Sequence, residues 1–182
     1  MGKISGSQPR IYSLVLAAVI LGTNATILAD TALHATDDTE VTVFAAQPDV
    51  PRNLTVKGND ANVTGDVIIE GTNAAGAPIT ETIALNGANV VVGNKAFATV
   101  TSITLPDYAV ADTERVRVGV GAKLGLPVPL SRNTVIAAFL ANVREGTAPT
   151  VTVSAANVEN NTVTLNSALN GSAVIVDFYE TI

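Results

Sequence analysis

The chain holds few side chains able to do chemistry, and each sits in a pattern that favours structure. His34 is the only imidazole. General-base work requires a carboxylate to orient the ring and a nucleophile within reach. Asp30, Asp37 and Asp38 are near His34 in sequence, but the segment is rich in Thr and Asp and reads as a surface loop. The run Gly119-Val120-Gly121-Ala122-Lys123-Leu124-Gly125 looks superficially like a phosphate-cradling loop. Such a loop needs Gly-Lys followed by Ser or Thr at a helix start, whereas Leu124 follows Lys123, and Pro127 and Pro129 exclude a helix. Two acidic groups (Asp37, Asp38 and Glu40; Asp107, Asp112 and Glu114) lack the spacing of a Ca²⁺ loop with its central Gly and terminal Glu, and read as solvated turns. Paired carboxylates for glycosidic chemistry are not indicated by Glu70 and Glu81, which sit in exposed Thr-rich strands without aromatic neighbours for a sugar. With no Cys, thiolate nucleophiles, thiolate metal sites and disulfides drop out together. No catalytic residue, cofactor-binding residue or metal ligand is expected, and no cofactor.

The elements that carry these residues alternate apolar side chains with Thr and are punctuated by Gly, Asn and Pro. At 182 residues, 47% of them hydrophobic, the chain can bury a real core without a disulfide or metal. The net charge of −6 argues against nucleic acid, whose binding relies on a basic surface to displace counterions, and against an anionic membrane. The first carboxylate is Asp30; residues 1–29 carry only Lys3 and Arg10. Those two cations before the apolar run Leu14–Leu21 imitate a secretory signal, but the polar lead of ten residues is long for one. Eight apolar residues are also too few to span a bilayer, which takes about twenty.

Residues 1–10 have the composition of an extended arm. Tyr12–Leu21 reads as a buried strand and Ala25–Ala29 as a second, with helix the competing reading of both. A turn at Thr36–Glu40 precedes a strand at Val41–Ala46. Residues 65–72 and 79–85 form paired strands. In the second, Ile79, Glu81, Ile83 and Leu85 share one face, so Glu81 is expected to reach solvent or a partner. Asn86-Gly87 is the strongest hairpin signal in the chain. Strands are predicted at Thr99–Leu105 and Arg115–Val120, then an irregular connector at Gly121–Leu130. Asn133–Val143 matches a helical and a strand pattern alike. Thr150–Ser154, Thr162–Leu165 and Ala173–Tyr179 read as a C-terminal meander over residues 149–182, with turns at Asn160-Asn161 and Asn170-Gly171. The result is an all-β fold: a sandwich or jelly-roll-like body of roughly ten short strands over residues 13–182, with an N-terminal arm at 1–12.

Four segments in succession carry a resemblance: PDVPRNLTV (48–56), GTNAAGAPITETIALNG with VGNKAF (71–97), GVGAKLGLP (119–127) and NTVIAAFLANVREGTAPTVTVSAANVENNTVTLNSALNG (133–171). Their order resembles tailed-bacteriophage virion structural proteins of the head-decoration, capsid-stabilising type, over roughly residues 40–180. The resemblance implies a non-enzymatic β-rich module on the capsid exterior. Its partners would be the major capsid protein and further copies of itself, as a trimer, and it would be assembled in the bacterial cytoplasm. It supplies no catalytic residues. The arm is expected to reach along a neighbouring subunit through Lys3, Arg10 and Tyr12. The alternatives are a tail, head-fibre or other virion component, or a secreted β-sandwich adhesion module.

Overall fold

An eleven-residue strand, β9 (Arg115–Gly125), organises the molecule because its two halves serve different cores. The computed structural model describes residues 10–35, 38–110 and 112–179. Within them lie fourteen strands in three sheets and a single 3₁₀ turn, Val158–Asn160.

Sheet A has the order β1 (Ile11–Leu16), β14 (Val174–Tyr179), β10 (Val135–Leu140), β11 (Val143–Arg144). Sheet B runs β12 (Thr150–Thr152), β13 (Thr162–Thr164), β9, β4 (Arg52–Gly58), β7 (Val91–Phe97), with β2 (Leu28–Ala32) also paired to β9. Sheet C is β3 (Thr39–Val41), β8 (Thr99–Leu105), β5 (Asp66–Thr72), β6 (Pro78–Ala84). All the pairings are antiparallel.

The first core lies between sheets B and C. Leu54 and Val56 of β4 and Val116, Val118 and Val120 of β9 meet Ile69, Ile83, Phe97 and Ile103 there. The second core is covered by sheet A, where Val174, Val176 and Phe178 of β14 pack on Leu124 of β9, Leu126, Leu130 and Val163. Each buried Val, Leu, Ile or Phe contributes about 1.5–3 kcal/mol by leaving water. With Val, Ile and Leu filling both, the cores fit a chain with 4% aromatic residues.

The expected all-β sandwich body is what the chain forms. β5 and β6 pair in unbroken register from Asp66 opposite Ala84 to Thr72 opposite Pro78, the pairing that alternation called for. Residues 133–143 are strand and hairpin: Ala141 and Asn142 both take positive φ, which makes the tight two-residue turn between β10 and β11.

Several local expectations are corrected. Asn86-Gly87 does form a tight turn, with Gly87 at φ 57° and Asn89 N–H bonded to the Asn86 carbonyl at 3.1 Å. It makes no hairpin, because β6 and β7 belong to different sheets and the turn carries the chain from one to the other. Gly121–Gly125 belongs to β9, so half of the supposed connector is strand. The C-terminal meander stops after β12 and β13; β14 leaves to insert between β1 and β10. Strand β3 ends at Val41, since the chain then turns to bond Ala45 N–H to the Ile27 carbonyl. The second early strand starts at Leu28, three residues later than expected.

Candidate interaction surface

The residues singled out for chemistry are dispersed. His34 is exposed in a loop and its carbonyl accepts the Tyr108 N–H. Lys123, in the glycine-rich run, reaches across β4 and donates to the Gly93 carbonyl and to Asn94 Oδ1 at 2.8 Å. Glu114 accepts the backbone N–H groups of Ala109 and Val110, closing a loop. Asp37 lies outside the described residues. Among the described residues no three His, Asp or Glu side chains converge as metal ligands.

Glu81 was expected to face solvent or a partner, and instead is buried at 9% exposure. It accepts the N–H groups of Asn94, at 2.6 Å, and Lys95, while Lys95 Nζ donates to the Thr80 carbonyl. Side chains thus tie β6, the edge of sheet C, to β7, the edge of sheet B, where no strand pairing joins them.

A second polar cluster holds the seam between the cores. Arg52, 1% exposed, donates to the Gly121 carbonyl (2.7 Å), the Ile20 carbonyl (3.0 Å) and Asp49 (2.9 Å), and Asp49 also accepts the Ile20 N–H. Asn161 accepts from Leu130 and Ser154 and donates to the Ser154 and Asn157 carbonyls. A cleft of about 400 Å³ opens beside Arg52, lined by Leu21, Thr55, Gly121, Ser167 and Leu169 among others. Among the described residues Arg52 is its one titratable lining residue, and that guanidinium is committed to the seam. On the solvent side of sheet B, Arg117 hydrogen-bonds Asp30 and holds its carboxyl below the usual aspartate value.

What the fold does expose is the outer face of sheet A. Alternation turns Leu14, Leu16, Val174, Val176 and Phe178 inward, so the register sets Ile11 beside Tyr179, Val15 beside Ile175, and Ile175 beside Phe139 on the outside. Ile11 and Val15 are 65% and 61% exposed. Asp177, midway across, is bonded to Ser13, and Arg132 sits 6.0 Å over the Tyr179 ring. Arg10 is exposed at the start of β1. Of the arm residues, Lys3 lies outside the described residues. Tyr12 is no part of an arm: it is in β1, paired with Phe178 and stacked on its ring at 5.8 Å. The alternation of 11–16 carried this signal, and its apolar outer row was open to detection only once β14 was known to be the neighbour.

No protein-family model matches the chain, and neither a curated protein nor a solved structure does.

Proposed function

We propose that the chain is a structural virion protein that binds the outside of a tailed-phage capsid and stabilises the shell, without catalysis. The observation that carries this reading is the apolar outer face of sheet A, where Val15, Ile175 and Phe139 adjoin and Ile11 lies further along β1. Apolar side chains gathered on an exposed sheet face and rimmed by polar ones mark an interaction site. The resemblance of the segments at 48–56, 71–97, 119–127 and 133–171 to phage head-decoration proteins supports the major capsid protein as the partner. A shell repeats its sites, so a modest patch on each copy is multiplied by the number of copies engaged. Binding the assembled lattice and not its separated subunits stabilises the lattice by mass action.

Quantitative mass spectrometry of purified virions tests the reading. Copies on the order of hundreds per particle support shell attachment, since avidity there needs a repeated lattice. A handful would move the chain to tail or fibre, and absence from particles would end the proposal. Deleting residues 1–9, which spares β1, is expected to lower occupancy if the arm contributes.

A further inference from the structure

We infer that two copies of the chain join edge to edge along β1, about a two-fold axis, into one continuous eight-stranded sheet. This goes beyond capsid attachment and does not depend on it. It also differs from the three-fold arrangement that the resemblance implies.

The three sheets end in edges of different kinds. An unpaired strand edge is a template for another chain, and proteins blunt it by shortness, charge, proline, bulges or cover. Strands β3, β11 and β12 are two or three residues long. The seven-residue edges β6 and β7 are tied to each other through Glu81 and Lys95. β1 has β14 on one side and, among the described residues, no strand on the other. Its sequence, IYSLVL, holds no charge and no proline, and six consecutive pairs with β14 run without a bulge.

A second copy fits this edge by pattern and by charge. Antiparallel partners must share faces. A two-fold axis at Ser13 places Ile11 of each copy opposite Val15 of the other, both on the outer face, and Ser13 opposite Ser13. Isologous contacts need this self-complementarity. The net charge also stays away from the junction. Twelve acids and six bases fall within residues 30–125, whereas the rest of the chain, which supplies sheet A, holds four of each. Two copies meeting at β1 therefore approach through neutral ends. A six-residue edge is only about 20 Å long, so the interface falls short of the roughly 1,200 Å² of a tight complex and the dimer is expected to dissociate in the micromolar range or above.

Sedimentation of the full chain over about 1–500 µM, a range that brackets so small an interface, should show a monomer–dimer equilibrium. Amide exchange within β1 should slow as concentration rises. Val15→Lys and Ile11→Lys, at exposed positions, should each weaken the dimer by about tenfold or more by placing lysine on the edge. Val43→Lys, at an 83% exposed position outside sheet A, should leave it unchanged. A monomer throughout, a trimer, or a dimer indifferent to the double Ile11/Val15 variant would overturn the inference. So would β1 protection that is independent of concentration and lost on deleting residues 1–9, since the chain's own N-terminal segment would then be the occupant.

Discussion

Arg52 shows how the fold can hold a buried charge. Its guanidinium takes three acceptors at once, two backbone carbonyls and Asp49, and each comes from a different stretch of chain. Removing one side of a buried pair leaves uncompensated polar groups and costs about 3–5 kcal/mol, toward the lower end where the partner keeps some water. Asp49 is 20% exposed. Arg52→Ala is therefore expected to lower stability by about 3 kcal/mol, read as a fall in the urea midpoint without a change in slope. Asp30 gives the opposite case, a surface pair. The Arg117 hydrogen bond lowers the Asp30 value in the folded state below the 3.8 of a free side chain. The stabilisation is thus fully present above that unfolded value and is lost as pH falls through the folded one. Asp30→Asn should reduce the melting temperature at neutral pH by only about a degree or two, because exposed pairs are weak. The difference from the parent should vanish in strongly acidic solution; a difference that persists there would mean that the pair is not its source.

At the level of elements, the union of β6 and β7 rests on Glu81 doing the work of a missing ladder. Its carboxylate takes up the N–H groups of Asn94 and Lys95 on an edge strand that pairs only with β4. Glu81→Ala should cost about 1–3 kcal/mol by stranding partly buried donors, and the amides of Asn94 and Lys95 should exchange faster while those of β5 and β8 hardly change. Gly119 has a comparable constraint on β9: a Cβ there would collide with the Thr23 carbonyl, so residues 22–26 can lie against the strand only because no side chain is present. Neither contact follows from local pattern. Glu81 reads as an interruption of an apolar face until the second sheet is in place to supply donors.

For the whole molecule, the question is whether two cores mean two folding units. β9 enters both, with Val116, Val118 and Val120 in one and Leu124 in the other. The Asn73–Glu159 hydrogen bond and the Arg52 cluster tie the halves further. Leu54→Ala in the first core and Leu124→Ala in the second should each cost about 2–5 kcal/mol. Both should shift one common transition, with fluorescence and far-UV circular dichroism coincident. Separate transitions, each sensitive to one variant alone, would show that β9 does not couple the cores.

Much of this was present in the sequence, and what was hidden has a common cause. Alternation with period two is local, so it identified the all-β body and the β5–β6 pair from their own residues, while the short apolar run at 12–21 fitted strand and helix alike and its two faces emerged only with β1 in place. Composition alone removed thiol chemistry and a basic nucleic-acid surface from consideration. Pairing between strands distant in sequence is not local. That β14 inserts beside β1, that Asn86-Gly87 carries the chain between sheets instead of closing a hairpin, and that the glycines of 119–125 continue a strand were decided by which apolar faces could be covered together. Strand pattern fixes which side chains share a face; only the packed tertiary structure determines which faces and edges are left uncovered. Among the described residues, the outer face of sheet A and the far edge of β1 are two of those left without cover.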